Sequence, residues 1–191
     1  PQLVFSTDPT TGGAIPTMRY VYDDRGYLIG TQTAEFQIEK AEDSGYAQGS
    51  WTYNYTAITY DSNGVETDTT YQFPSWQDDP QAAISGGKVI HGDEMSQHAS
   101  DEGWLKEKIE DGYVLEIAKT TYTNNNSKLK TVDYTTNNTT YYTNGKASYV
   151  LNETGEKIGQ YEYSANGVCQ AYYNAKGTDG HGNTVGTTTV Y

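Results

Sequence analysis

The feature that most constrains this chain is a recurring seven-residue pattern: aromatic, spacer, aromatic, polar, two spacers, glycine. The cleanest copy is Tyr20-Val-Tyr-Asp-Asp-Arg-Gly26. Less exact copies are Ile58–Gly64, Tyr149–Gly155, Tyr161–Gly167 and Ala171–Gly177. A chain with this pattern reverses direction at short intervals, which favours short strands over long helices.

Each copy predicts a strand, a tight turn and a second strand. Side chains two residues apart in a strand share a face, so Tyr161 and Tyr163 are expected on the same side of a sheet. The polar residue that follows bonds to nearby backbone, and the glycine adopts the positive φ that a tight reversal needs. Gly155 and Gly167 are about twelve residues apart, which is the spacing of an antiparallel meander.

The pattern also carries a resemblance to a known family. Tyr20-x-Tyr22-Asp23-x-x-Gly26-x-Leu28 resembles the YD repeat of Rhs-type proteins and of many secreted or lipid-anchored bacterial surface proteins. The resemblance covers five short windows, and only the first keeps Tyr, Asp, Gly and the following Leu together. It implies secreted, non-catalytic β-structure, and it transfers no active-site residue because the repeat has none.

Composition agrees with a thin β-structure. Hydrophobic residues make up 35% of the 191-residue chain, below the usual 45–50%, while tyrosine alone occurs 19 times. Tyrosine and threonine favour strands, and tyrosine buries a ring while its hydroxyl stays wet. We therefore predict an all-β antiparallel meander of repeat-like hairpins, as a sandwich or an open twisted sheet. Residues 1–191 are expected to form one β-rich domain.

Residues 74–112 interrupt the pattern and predict an irregular insertion. Within it, residues 100–111 predict one short helix, with Ser100 as its cap and Gly112 at its end. The alternative is a strand from Trp104 to Ile109. The insertion also holds His91, Asp93 and His98, which are weak metal-ligand candidates. Their spacing matches no standard zinc motif, so no metal or cofactor is predicted.

Four aromatic residues are the candidate ligand-binding residues. Trp51, Tyr53 and Tyr55 alternate along one predicted strand and therefore share a face, where they could stack on a sugar. Trp76, in the insertion, is the fourth. The alternative is that the alternating stripe is a sheet face that packs on another layer, which is the commoner role of such a stripe.

The net charge of the chain excludes some classes of binding partner. The net charge of −13 and the pI near 4.4 argue against nucleic acid and against anionic membrane surfaces, both of which require basic faces. No apolar stretch is long enough for a membrane span. The chain begins at Pro1, and we expect that a leader has been removed from an extracellular or cell-surface protein.

Catalytic motifs are not found in the sequence. It contains no nucleophile elbow, phosphate-binding loop or dinucleotide fingerprint. Glu116 and Glu162 have the most apolar neighbours among the carboxylates, and alternation predicts that both are solvated. Cys169 is expected to be a buried, inert thiol.

The predicted function is therefore a non-catalytic extracellular surface, adhesion or assembly module that acts through aromatic sheet faces and strand edges. One alternative is a carbohydrate-binding module. Another is a subunit of an extracellular filament or virion, joined by strand addition through residues 2–5. The expected partners are other protein subunits or surface glycans, and the sequence leaves the oligomeric state open.

Overall fold

The chain forms an open antiparallel sheet that carries three short helices. A computed structural model describes residues 3–41, 47–178 and 184–191. Strands account for 55% of the structure and helical segments for 14%, and the sheet does not close into a barrel. The predicted all-β meander is therefore confirmed, and of the two predicted forms the open sheet is the one observed.

Strands lie across the sheet in the order in which they occur along the chain, with one exception. Their bounds are β1 Leu3–Thr7, β2 Ala14–Tyr22, β3 Leu28–Ala41, β4 Ala47–Tyr60, β5 Glu66–Phe73, β6 Val89–Ile90, β7 Val114–Tyr122, β8 Lys128–Asp133, β9 Asn138–Thr143, β10 Lys146–Leu151, β11 Lys157–Tyr163, β12 Cys169–Thr178 and β13 Thr184–Val190. The exception is β6, which pairs in parallel with β7; every other pairing is antiparallel between neighbours.

The repeat pattern forms a three-residue hairpin loop, as its first copy shows. The Asp23 amide donates to the Tyr27 carbonyl oxygen at 2.9 Å, and the Gly26 amide donates to the Asp23 carbonyl oxygen at 3.1 Å. The Asp23 carboxylate accepts from the amides of Arg25 and Tyr27. Gly26 has a φ of +86°, which is favourable only for glycine and a few small polar residues.

The same backbone bonds recur in four more hairpins, and in each the polar side chain accepts from at least one loop amide. Their polar residues are Asp61, Thr123, Asn152 and Ser164, and their positive-φ residues are Gly64, Asn126, Gly155 and Gly167. The hairpin role of the repeat is confirmed in the three less exact copies that end at glycines 64, 155 and 167. The hairpin at Thr123 does not fit the sequence pattern, because Asn126 stands where the pattern requires glycine. Asparagine is one of the few other residues that tolerate positive φ.

The prediction that residues 171–177 form another hairpin turn is wrong. This segment lies within β12, where Tyr172 pairs with Tyr161 of β11 on one side and Thr189 of β13 on the other. Because both neighbouring strands satisfy its backbone, the segment continues as a strand and makes no tight reversal there. Residues 179–183 of the predicted turn that follows, and residues 42–45 of the predicted polar turn at 39–45, lie outside the described residues.

Three helices and one 3₁₀ turn lie between β5 and β7. They are α1 Pro80–Gly86, α2 Gly92–Met95, the 3₁₀ turn Ser96–His98 and α3 Glu102–Glu110. The predicted helix near 100–111 is confirmed as α3, and the alternative strand is wrong. The N-cap is Asp101, whose carboxylate accepts from the Trp104 amide at 3.0 Å, rather than Ser100. No helix among the described residues is long and apolar enough to cross a bilayer.

The helices cover the centre of the sheet from both sides. Val114 and Leu115 are neighbours on β7 and therefore point to opposite faces. On the first face, Val114 packs with Tyr55 and Phe73 beneath residues 83 and 84 of α1. On the second face, Leu115 packs with Ile90, Met95 and three apolar side chains of α3, at positions 104, 105 and 109. The core is thus two small clusters separated by the sheet.

Beyond β7 the sheet becomes thin. Val150, which is 7% exposed, is the one buried apolar side chain that the described residues of β8–β13 contribute. These strands are held by backbone ladders and by cross-strand side-chain pairs rather than by a core. The Thr120–Thr131 hydroxyl pair, at 2.8 Å, is one such link between β7 and β8.

Candidate functional site

The predicted aromatic stripe on β4 lies partly under α1. Tyr55 is completely buried, and its hydroxyl donates to the Ile29 carbonyl oxygen at 3.3 Å and lies 3.3 Å from the Gln81 side-chain amide. Burial raises the pKa of the Tyr55 hydroxyl above its ordinary value. A ring in this position packs against the protein and offers no face to a ligand.

The other residues of the stripe are half-buried. Trp51 meets Phe36 edge to face, with ring centroids 5.3 Å apart. The indole Nε1 of Trp51 is buried and has no hydrogen-bond partner among the described residues. Tyr53 packs beside the first-face cluster, and burial raises its pKa. Trp51, Tyr53 and Tyr55 share a face as predicted, but they do not form an open platform.

Trp76 belongs to a different contact, organised by Arg19. The Arg19 guanidinium lies 5.7 Å from the centroid of the Trp76 ring. It donates to the carbonyl oxygens of Asp78 and Gln77 at 2.7 and 2.6 Å, and to the side-chain oxygen of the fully buried Gln32 at 2.7 Å. Arg19 thereby fixes the start of the insertion to the first face of the sheet. The sequence singled out Trp76 but not Arg19.

The three weak metal candidates make separate contacts. The Nδ1 atom of His91 lies 3.1 Å from a carboxylate oxygen of Glu116, while the His98 ring stacks on Trp104 with centroids 4.0 Å apart. Asp93 is exposed on α2. Within the described ranges, no group of three or more His, Cys, Asp or Glu side chains is placed to hold a metal ion.

Alternation predicted that Glu116 is solvated, and this is wrong, because the residue is only 8% exposed. The physical reason is that this part of β7 is covered on both faces, so alternation leaves no solvent side. Glu162, on the thin part of the sheet, is exposed as predicted. Cys169 is half-buried rather than fully buried, and it is a free thiol.

A groove of about 440 Å³ lies on the second face of the thin part of the sheet. We name it the threonine–tyrosine groove. Its principal lining residues are Thr131, Asp133, Thr140, Val150, Tyr161 and Tyr172. Its size is within the range of small-molecule sites. Among the residues that the structure describes, Asp133 is the only carboxylate that lines it.

Two tyrosines form the aromatic wall of this groove. Tyr161 and Tyr172 are directly opposite each other on β11 and β12, with ring centroids 4.5 Å apart. The Tyr172 ring lies over Gly159, where an added Cβ would come within 2.5 Å of the tyrosine hydroxyl oxygen. Gly159 is therefore required for this close approach. Burial raises the pKa of Tyr161.

Polar groups on the groove floor are held in fixed positions. The Thr131 hydroxyl contacts the Thr120 hydroxyl at 2.8 Å and donates to the Tyr142 hydroxyl at 3.2 Å. The Asp133 carboxylate accepts from the amide and the hydroxyl of Thr135 at 2.8 and 2.6 Å. Ring faces beside ordered hydroxyls suit a neutral polyhydroxylated ligand, which offers both C–H faces and hydroxyl groups.

The first face of the same strands carries a second tyrosine pair. Tyr141 and Tyr149 stack with centroids 4.9 Å apart, and the Lys157 ammonium lies 5.8 Å from the centroid of Tyr149. Tyr149 pairs with Gln160, the neighbour of Tyr161, so the two pairs lie on opposite faces. The sequence showed that tyrosines recur, but the partners depend on cross-strand register.

The sheet is bounded by two edge strands, β1 and β13. In the described part of the chain, β1 pairs only with β2 and β13 pairs only with β12. Leu3, Val4 and Phe5 are 40%, 44% and 57% exposed on the first edge, and Val190 is 77% exposed on the last. Neither edge strand contains a charged residue or a proline. Charged side chains and prolines are two of the features that protect natural sheet edges, and a β-bulge, which is a third, interrupts the β1–β2 register between Val4 and Phe5.

Comparison with known proteins adds no family. No protein-family model matches the chain, and none of the curated proteins is significantly similar to it. The resemblance of the first hairpin to the YD repeat therefore stays a prediction.

Proposed function

We propose that this chain is a non-catalytic surface, adhesion or assembly module of the cell exterior, acting through aromatic sheet faces and strand edges. The observation that carries the proposal is the thin half of the sheet. Strands β8–β13 present two tyrosine pairs on opposite faces, and the edge strands β1 and β13 carry no protecting charge. A sheet that needed only to be stable would cover such faces and block such edges.

The absence of catalysis is part of the proposal. Two shielded carboxylates among the described residues each have a partner: Glu116 lies beside His91, and one oxygen of Asp68 accepts from the Tyr122 hydroxyl at 2.7 Å. Asp133, in the groove, is engaged by Thr135. Each of these carboxylates is thus engaged by a neighbouring group, although the charge of Glu66, two residues away on β5, also acts on Asp68.

An adhesion assay tests the proposal. Beads coated with the chain are applied to extracellular polymers and to cell surfaces, and saturable retention is measured. We expect retention that falls when one tyrosine pair is replaced by alanine, with the opposite pair as the matched control. The substitutions are Tyr161→Ala with Tyr172→Ala on the second face, and Tyr141→Ala with Tyr149→Ala on the first. Hydrolytic turnover that a single carboxylate substitution abolishes would contradict the proposal, as would an inert chain that neither binds nor associates.

The extracellular location is also proposed. The acidic charge and the YD-like pattern support it. Fractionation of the source cells with an antibody against the chain tests it. We expect the chain in the exported or surface fraction, and recovery in the cytosol alone would contradict this part of the proposal.

A second candidate function is carbohydrate binding, and the threonine–tyrosine groove favours it. The groove combines two ring faces with fixed hydroxyls, whereas Tyr55 of the predicted stripe is buried. Titration with soluble oligosaccharides, followed by tyrosine fluorescence, tests it. We expect saturable binding that Tyr172→Ala weakens by about fivefold to more than a hundredfold, because one stacked ring contributes about 1–3 kcal/mol where nucleic-acid bases stack on aromatic side chains. Unchanged affinity in that variant would reject the groove.

A further inference from the structure

We propose that copies of this chain associate with one another, and that β1 of one copy pairs with β13 of the next. This inference rests on the proposed assembly function and names the partner and the contact. The backbone groups on the outer side of both edge strands have no strand partner among the described residues. An uncharged edge of this kind is a template for another strand.

Strand direction makes the junction a continuation of the sheet. In the described part of the chain the sheet has thirteen strands, and twelve remain in the continuous row once β6 is set aside. All neighbours in that row are antiparallel, and the number is even, so β1 and β13 point in opposite directions. A second copy placed in the same orientation beyond β13 therefore presents its β1 antiparallel to it. The meander crosses the junction without a change of pattern.

The edge sequences favour this junction over pairing of β1 with a second β1. β1 is apolar at its start and hydroxyl-bearing at its end, while β13 has threonines before its final Val190. In antiparallel pairing of β1 with β13, Leu3 lies opposite Val190 and Ser6 lies opposite Thr187, whereas Val4 and Phe5 lie opposite threonines. Full pairing of β1 with a second β1 would set both Leu3 and Val4 against hydroxyl side chains and would form no hydroxyl pair.

The proposed register matches contacts that the sheet already uses. Hydroxyl pairs bridge strands at Thr56–Thr70, at 3.0 Å, and at Ser6–Thr17, at 3.1 Å. A Ser6–Thr187 pair across the junction would repeat this contact. Because the interface is head-to-tail, each added copy leaves one free β1 and one free β13, and the product is open-ended.

Charge acts against association and predicts its salt dependence. Each copy carries a net charge of −13, so copies repel at low ionic strength. The Debye length falls from about 10 Å at 0.1 M salt to about 3 Å at 1 M. The edge strands themselves are uncharged, so salt weakens the repulsion without weakening the contact. Association should therefore increase with salt concentration.

The test blocks one edge at a time and then mixes the blocked copies. Phe5→Lys places a charge on β1, and Thr188→Lys places one on β13; both side chains are exposed. Tyr27→Lys, an exposed hairpin residue, is the control for the added charge. Mass is measured by light scattering coupled to size exclusion, and circular dichroism confirms that each variant is folded.

We expect open-ended oligomers for the unsubstituted chain and for Tyr27→Lys, and monomers for each blocked variant alone. A mixture of the two blocked variants should give one-to-one dimers, because one supplies an intact β13 and the other an intact β1. Three results would overturn the inference: monomers of the unsubstituted chain at high salt, dimers of either blocked variant alone, or a mixture that stays monomeric.

A cysteine pair tests the register. With Cys169→Ser as background, Leu3→Cys and Val190→Cys should form an intermolecular disulfide, because opposite residues in a ladder are about 4.5–5.5 Å apart at Cα. Thr7→Cys with Val190→Cys should not cross-link, and equal yields from the two pairs would reject the register. A monomeric chain that still adheres to surfaces would refute this inference and leave the proposed function standing.

Discussion

The centre of the sheet and its C-terminal strands are built from the same hairpins but are stabilised differently. The centre, comprising β4, β5, β6 and β7, is covered by α1 on one face and by α2 and α3 on the other. Tyr55 and Leu115 are fully buried there. Strands β8–β13 bury only Val150 among their described apolar side chains. Both regions thus use one turn geometry, and they differ in burial because the insertion covers only the centre.

In this protein, the presence of the hairpin repeat does not determine whether the strands that it joins are buried. The hairpin turns at Asp61 and Asn152 have the same bonds, although β4 and β5 lead into the covered centre and β10 and β11 do not. The insertion at residues 74–112 supplies apolar side chains that the repeats lack. Stability should therefore be concentrated in the centre, while the thin strands remain available for contacts.

The largest expected effect breaks the core of the centre. Leu115→Ala should lower the free energy of unfolding by about 3–5 kcal/mol, because a fully buried leucine leaves a cavity between β7 and the helices. The matched control is Leu129→Ala on β8, where the side chain is 45% exposed and the loss should be below about 1 kcal/mol. Urea denaturation measures both. Equal losses would mean that the two regions are equally packed.

A smaller effect should follow when the insertion is released from the sheet. Arg19→Met removes the three bonds to Gln32, Gln77 and Asp78, and leaves the side-chain oxygen of the buried Gln32 without this donor. We expect a loss of about 2–3 kcal/mol. Arg25→Met, at an exposed turn, is the control and should be nearly neutral. Tryptophan fluorescence during denaturation reports the change, and an unaltered stability of Arg19→Met would show that α1 alone holds the insertion.

A turn substitution compares the repeats themselves. Gly155→Ala forces alanine to a φ of +80° and should cost about 1–2 kcal/mol, although an added Cβ meets no atom within 4 Å. Asn126→Gly, at the equivalent position of the Thr123 hairpin, should be neutral or slightly stabilising. Thermal denaturation compares the two variants. Similar effects of both would mean that positive φ is not what the glycine supplies.

The smallest effect concerns pH. Burial raises the pKa of the Asp68 carboxyl above 3.8, and the hydrogen bond from Tyr122 only partly opposes this. Because the folded state holds this proton more tightly, Asp68 favours folding fully below pH 3.8 and progressively less as pH rises through the folded pKa. Asp68→Asn should therefore gain stability relative to the parent as pH rises from about 4 to 7. A constant difference across that range would show that the pKa is not raised in the folded chain.

The sequence predicts the positions of the turns better than it predicts which surfaces are covered. The repeat predicted four of the five equivalent hairpins; at the fifth, where Asn126 replaces glycine, the three asparagines at 124–126 predicted the turn but the repeat pattern did not, since two residue types share one backbone conformation. It also predicted a turn within β12, where pairing on both sides overrides local preference. The helix at 102–110 was predictable from the polar residue before it and the glycine after it, although its cap is Asp101 rather than Ser100, whereas α1 was hidden among loop-forming residues.

The sequence by itself determined the meander, because hairpin loops are local and each fixes the register of its own two strands. Tertiary structure alone decided which faces are covered. Alternation set Tyr55 and Glu116 on faces, but only the packing of the insertion made those positions buried. The groove of Tyr161 and Tyr172 likewise depends on Gly159 and on pairing across two strands. The local sequence fixes where the chain reverses and on which face of the sheet each side chain lies, whereas burial depends on which distant segments come to lie above the sheet.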